Sequence, residues 1–251
     1  VIAIDGLGSS GKSSVGAAVA AALGLRFLDT GLLYRSLTWL ALERGIDPAD
    51  GPAIAPLAGE IDLGEDEAGR LTRVVVDGRD VTARIHTRRV DRSVSTVSRQ
   101  REVRAALLGR QREIAAAGGI VVAGRDIGST VLPDAEVKIW LDASAEERAA
   151  RRAAERGIDP SSPDGLAILD DLRRRDAADG SRSLSPARAA AEAIHVGTDG
   201  RTFEETVAAL LAVVADRARN WRPQPGGAEA GPPGGPTEPG ATQPRPGEAP
   251  A

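Results

Sequence analysis

The sequence predicts an α/β fold, a parallel sheet with helices packed against both faces. Two observations predict it. Short apolar, β-branched runs alternate with longer stretches of helical period, the order that builds parallel strands joined by crossover helices. Three of those runs also end in polar clusters: Asp5-Gly6, Asp29-Thr30-Gly31 and Gly124-Arg125-Asp126. Ligands bind at the carboxyl ends of parallel strands, so the three clusters are expected to converge in one cleft.

The first run, 1–4, is followed by Gly6-Leu7-Gly8-Ser9-Ser10-Gly11-Lys12-Ser13, which fits G-x-x-x-x-G-K-[ST] at every fixed position. An Ala-rich helix is expected over 14–23, with Val15 and Val19 four apart. Strand, glycine loop and helix thus stand in the order of a P-loop, and the sheet is expected to be of the P-loop NTPase type. Gly6, Gly8 and Gly11 let the loop curl so that its N–H groups point at one anion. The helix N-terminus adds positive dipole. Lys12 places a charge on the β/γ-phosphates, and the Ser13 hydroxyl is a ligand for Mg²⁺. The stretch Gly6, Leu7, Gly8, Ser9, Ser10, Gly11, Lys12, Ser13 and Ser14 is therefore expected to bind ATP.

Further along, Gly24 reads as a helix C-cap before a strand at 25–28. A helix over 32–44 ends at Gly45-Ile46-Asp47-Pro48. A short helix is expected at 53–60. At 70–81 the period changes to that of a hairpin, with Asp77-Gly78-Arg79-Asp80 as its turn. The stretch 88–117 reads as helix in two pieces, 119–123 and 136–141 as strands. A helix at 143–156 opens with Ser144 and Glu147 as a capping box. A loop at 157–165 with two prolines, a helix at 166–178 and a short strand at 193–196 follow. The closing helix, 202–219, has Thr202 and Glu205 as its box. Nine of the sixteen prolines fall in 222–251, which carries no apolar periodicity and is expected to be disordered.

Composition bounds the function. The 251 residues allow one large α/β domain with attachments, and 41% apolar residues allow a real core. A formal charge of −4 implies no bulk attraction to nucleic acid. The chain has no cysteine, which excludes disulfides, thiolate metal sites and a cysteine nucleophile. With no membrane-length apolar run and no signal-peptide pattern, a cytoplasmic protein is expected, away from membranes. There is no Met and the first strand begins at residue 1, so a few preceding residues are expected. A monomer is the simplest reading.

The P-loop leaves the acceptor open. Asn220 is the only Asn and neither Lys12 nor Lys138 lies near it, so an Asn-Lys-x-Asp guanine-reading motif is absent. After Ile120-Val121-Val122-Ala123 comes Gly-Arg-Asp, and the arginine beside Asp126 suits an anionic acceptor. Arg148, Arg151, Arg152 and Arg156 fall on one helical face, with Arg173, Arg174, Arg175 and Arg182 beyond the proline loop. The commonest fate of such runs is a solvated face. In a phosphoryl-transfer enzyme the same residues form a mobile lid that stabilises the transferring group and excludes water.

At these residues the chain resembles the bacterial cytidylate kinases, a branch of the nucleoside monophosphate kinases, over about 1–216. The likeness rests on the P-loop, Leu28-Asp29-Thr30-Gly31-Leu32-Leu33-Tyr34-Arg35, the stretch 101–112, and Gly124-Arg125-Asp126-Ile127-Gly128. It continues through Pro133-Asp134-Ala135-Glu136-Val137-Lys138-Ile139, Leu141-Asp142-Ala143-Ser144, Arg175-Asp176, Asp179 and Arg182. Thr30 keeps the hydroxyl where the family often has Ser, and Leu7 stands where it often has Pro.

The resemblance implies phosphorylation of CMP and dCMP by ATP with Mg²⁺, in one domain, 1–221. That domain has a small β-containing NMP-binding insert at about 60–86, an Arg-rich helical lid at about 148–182, and the tail beyond. It implies that Arg35, Arg125 and Arg182 hold the CMP phosphate and, with Lys12, carry the catalysis. Ser95, Arg104 and Asp126 are then expected to read the cytosine, Arg175 and Asp179 to hold the sugar, and Thr30 to complete the CMP site. Tyr34 reads as packing, His86 and His195 as structural, and Asp29 as a helix cap. The alternatives are a kinase of another small acceptor, such as a different nucleoside monophosphate, and a P-loop switch module without kinase turnover.

Overall fold

A computed structural model describes residues 1–181 and 186–220. Arg182 and the expected tail at 222–251 lie outside them. The chain divides into two compact units, Val1–Arg219 and Asn220–Ala251. The described side chains all belong to the first.

That unit is built on five parallel strands: β1 (Ile2–Asp5), β2 (Arg26–Asp29), β6 (Ile120–Gly124), β7 (Val137–Asp142) and β8 (Ile194–Gly197). Their order is β2-β6-β1-β7-β8. β1 is central and every residue in it is buried, as a strand covered on both faces must be. The period of two sorts its side chains. Ile2 and Ile4 pack with Val15, Val19 and Leu210 of helices α1 (Lys12–Leu23) and α8 (Phe203–Asn220). Ala3 faces the other way, with Leu28, Val122 and Ala115 of α5 (Arg101–Ala116). α1 lies so close to the sheet that a Cβ on Gly16 would stand 2.8 Å from the Phe27 ring.

Between β2 and β6 the chain makes α2 (Thr30–Glu43), α3 (Gly51–Ile54), a second sheet, α4 (Arg88–Val97) and α5. The expected helix at 53–60 is a single turn, α3, followed by a 3₁₀ segment, Ala55–Glu60. Pro52 and Pro56 stand at the starts of these two pieces, and Pro56 supplies no N–H to continue the first. The expected hairpin is part of a three-stranded antiparallel sheet: β3 (Ile61–Glu65), β4 (Leu71–Val76) and β5 (Arg79–Asp80). Its turn is only Asp77-Gly78, both at positive φ, 49° and 73°, the type I′ geometry of tight hairpins. Arg79 and Asp80 belong to the strand. Leu33, Leu37, Ile54, Val74, Ile85, Val97 and Leu107 knit this insert to α2 and α5.

Past β7, α6 (Ala145–Glu155) and α7 (Pro163–Gly180) form a helical pair around Ala149, Ala153, Ile168 and Leu172. α7 begins three residues before the sequence expectation. Ser162 caps it by accepting from Gly165 N at 3.1 Å, and Pro163 stands in its first turn, where proline starts a helix instead of breaking one. On the sheet edge, His195 pairs with Asp142 at 2.6 Å, a partner the sequence did not suggest. Among the described residues, no helix is long and apolar enough to cross a membrane.

Candidate active site

The loop between β1 and α1 is held by contacts that only glycine allows. A Cβ on Gly6 would stand 2.7 Å from Leu141 O and 2.8 Å from Ser10 Oγ. Gly11, at φ 88°, turns the chain into α1. Lys12 opens that helix and donates to Leu7 O at 2.9 Å. Burial, then the Arg125 guanidinium, push its pKa down to about 8. The Ser13 hydroxyl hydrogen-bonds Asp29. Asp29 also caps α2, its Oδ1 accepting from Gly31 N at 2.9 Å, so it serves both the cap and the P-loop.

A cavity of about 250 Å³ opens from this loop across the carboxyl ends of β2 and β6. Gly8, Ser9, Lys12 and Ser13 line one part of it. Thr30, Arg35, Ser95, Arg104, Arg125, Asp126, Arg175 and Asp179 line the rest. All described residues expected at the acceptor therefore share one cavity with the P-loop. Gly6, Leu7, Ser10, Gly11 and Ser14 shape the loop without lining that space; Ser10 is buried and Ser14 exposed.

The polar groups are mutually braced. Thr30 Oγ1 donates to Ala123 O at 3.0 Å. Arg35 pairs with Asp91 at 2.7 Å. Arg104 pairs with Asp126, both largely out of solvent, and Arg104 lies 5.9 Å from the Tyr34 ring centroid, within cation–π reach. Arg125 stands between the two halves. Its Nε is 2.8 Å from Asp179 Oδ2, and its Nη2 would be 3.3 Å from a Cβ on Gly8. Arg175 donates to Asp91 O at 3.0 Å, which ties α7 to α4.

Several contacts in and around the site were not foreseen from the sequence. Asp5 is buried and accepts from Ile127 N at 2.7 Å and Gly128 N at 2.8 Å. It thereby anchors the turn after Arg125-Asp126. Burial pushes its pKa up to about 6, against those two hydrogen bonds. Arg148 is buried, bonds Asp176 at 2.6 and 3.2 Å and donates to Gly8 O at 3.2 Å. The α6–α7 pair is thus tied to the P-loop through Arg148. Tyr34, Arg152 and Asp176 also line the cavity. The helical spacing of the arginines already marks Arg148 and Arg152 as one face; nothing local marks the contacts of Asp5, whose partners lie more than a hundred residues away.

A P-loop at the end of the central strand, facing an arginine-lined pocket beside the α6–α7 pair, defines a kinase of small phosphate-bearing acceptors, a nucleoside monophosphate kinase. The cytidylate kinase family model matches residues 2–216. A cytidylate kinase of Herpetosiphon aurantiacus is 45% identical over 222 residues, covering 87% of this chain and 95% of that protein. One from Streptomyces coelicolor is 47% identical, covering 86% and 93%. Among solved structures, a gluconokinase from Sinorhizobium meliloti aligns at TM-score 0.47 and 19% identity over 87% of this chain and 93% of that one. The chain belongs to the cytidylate kinase family, enzymes that transfer a phosphoryl group from ATP to CMP and dCMP.

Proposed function

We propose that the described cavity is where both substrates of this reaction meet, ATP on the P-loop and CMP or dCMP against Arg35, Arg104, Arg125 and Asp126. One observation carries this reading: Arg125 reaches from Asp179 on the acceptor side to the Gly8 turn on the donor side. A cation so placed lies where charge passes from one nucleotide to the other. Lys12 and the P-loop amides hold the donor phosphates. Arg35 and Arg125 orient the acceptor phosphate, and Arg182, outside the described residues, is assigned to the same task.

Cytosine offers a 4-amino donor and the N3 and O2 acceptors. The Asp126 carboxylate accepts from the first, and the Arg104 fork donates to the others. Uracil presents O4 and N3–H at those edges and leaves the pair mismatched. Ser95 completes the base site, Thr30 lines the acceptor side, and Arg175 and Asp179 hold the sugar hydroxyls. The insert at 60–86 serves as the NMP-binding part and 148–182 as the lid.

Ser13 and Asp29 offer a hydroxyl and a carboxylate at the P-loop, a donor set that suits Mg²⁺, which takes one or two protein ligands and fills its sphere with water and phosphate oxygens. Bound there, the ion would neutralise charge on the ATP phosphates. The acceptor phosphate is already anionic, so an oxygen of it attacks the γ-phosphorus in line, the bond to the β-phosphate oxygen breaks, and ADP leaves. No protein base is required. The protein contributes positioning and charge stabilisation in a loose transition state.

The test is ADP release with Mg·ATP and CMP, dCMP, UMP, AMP or GMP supplied singly. Turnover confined to CMP and dCMP is expected. Turnover with another monophosphate instead would overturn the cytosine assignment, and acceptor-independent hydrolysis would overturn the kinase reading of the cavity.

A further inference from the structure

A second cavity, about 790 Å³, lies between α4 and the lid helices and is continuous with the first through Ser95, Arg152 and Arg175. Seven arginines and only two aspartates line it. Both aspartates are already engaged: Asp91 pairs with Arg35, and Asp171 with Arg174 and Arg175 at 3.6 and 3.5 Å. Arg88, Arg92, Arg99, Arg152 and Arg156 have no ion-pair partner among the described residues. Arg88, Arg92 and Arg99 recur along one side of α4 and its C-terminal end, opposite the buried side that carries Val90 and Val97. Arg152 of α6 and Arg156 at its C-cap line the opposite side. Like charges crowd here at a real cost, and the pKa of Arg152 is lowered by burial and by Arg156 and Arg175. The acceptor chemistry above uses one phosphate and leaves the α4 arginines without a task.

We propose that this basic vestibule is a binding site for a condensed phosphate chain, the polyphosphate of a nucleoside triphosphate or an inorganic polyphosphate, and that its occupation excludes the acceptor nucleotide. A chain of linked phosphates presents several closely spaced anions, which matches arginines distributed over two facing helices better than a single phosphate does. Exclusion follows from shared residues: Arg175 and Ser95 cannot serve the acceptor and the vestibule ligand together. Such a ligand would also bridge α4 and the α6–α7 pair. This inference rests on the assignment of the acceptor to the first cavity.

The experiment measures inhibition of CMP phosphorylation by inorganic tripolyphosphate and, in a second arm, by CTP, with Mg²⁺ in excess over all phosphates and ATP saturating. Inhibition competitive with CMP is expected. In the Arg88→Gln/Arg92→Gln/Arg99→Gln variant the inhibition constant should rise at least about tenfold, with kcat at saturating CMP unchanged. Tripolyphosphate and CTP acting alike identify the phosphate chain as the recognised part; CTP acting alone and equally on the variant identifies the base site and overturns the proposal. Inhibition competitive only with ATP places the anion on the P-loop and also overturns it. Calorimetric titration of tripolyphosphate into wild type and variant reads the vestibule without turnover. Binding lost in the variant supports the site even if the acceptor proves not to be CMP, whereas equal binding sinks it.

Discussion

Lys12 and Asp5 flank the same strand-loop-helix junction and each feels the other's charge, yet they have opposite demands on pH. Lys12 must be charged to hold the donor phosphates, and its surroundings bring its pKa down to about 8. The profile of kcat/KM for ATP reports groups on the free enzyme, so it is expected to fall as pH rises through about 8. Lys12→Ala is expected to lose at least about 100-fold in kcat, the scale seen when one preorganised donor is removed. A flat alkaline limb together with near-normal kcat would remove Lys12 from phosphate binding. Asp5 titrates at about 6 in the fold against an ordinary 3.8. Between these values the folded state holds the proton and the unfolded state does not. The contribution of Asp5 to stability therefore falls as pH rises from about 4 to 6, by about 3 kcal/mol at most. Urea titrations of wild type and Asp5→Asn should diverge over that window, wild type losing relative stability towards pH 6. Parallel curves would contradict the assignment.

At the scale of elements, the P-loop depends on its approach to β7. Gly6→Ala places a methyl 2.7 Å from Leu141 O. Backbone cannot swing aside as a side chain can, so the variant should lose about 1–3 kcal/mol of stability and bind ATP more weakly. Gly109 in α5 has nothing within 4 Å of its Cβ position. Gly109→Ala should therefore be neutral or stabilise by up to about 1 kcal/mol. Thermal denaturation of the two variants side by side separates close packing from mere glycine entropy. Similar losses in both would show that the Leu141 contact does not govern the loop. The α6–α7 pair poses a different problem: Arg148 is buried in a helix of arginines because Asp176 and Gly8 O satisfy it, and a buried charge is tolerated only with such partners.

Across the whole molecule, what could be read from sequence was what repeats locally. β1, the P-loop and α1 are contiguous, and their motif fixes both structure and chemistry. β6 and β7 are apolar runs bounded by turns. β3 was missed because Asp62, Gly64 and Glu65 dilute its alternation, leaving Ile61 and Leu63 as the apolar signal, and its partner strand comes later in the chain. The start of α7 was misplaced because proline was read as a loop residue. In the site, residues within motifs were legible; Arg104 and Asp126 were assigned to the base only through the family resemblance, and their pairing is a finding of the structure. The contacts of Asp5 and the Arg148–Asp176 pair were not legible, since their partners are brought together only by the sheet and by the packing of α6 against α7. The vestibule was equally hidden: its arginines lie on separate helices, and only their facing arrangement shows that five of them lack an ion-pair partner among the described residues.

The account turns on a cytosine being read where Arg104 and Asp126 meet, within reach of the P-loop. The measurement that tests this most directly is kcat/KM for CMP and for UMP on wild type and on Asp126→Asn. Loss of one well-made base contact is worth about 1–3 kcal/mol. The CMP preference should therefore drop roughly 10- to 100-fold in the variant, with KM for ATP unchanged. An unchanged CMP-to-UMP ratio would show that the cytosine is read elsewhere.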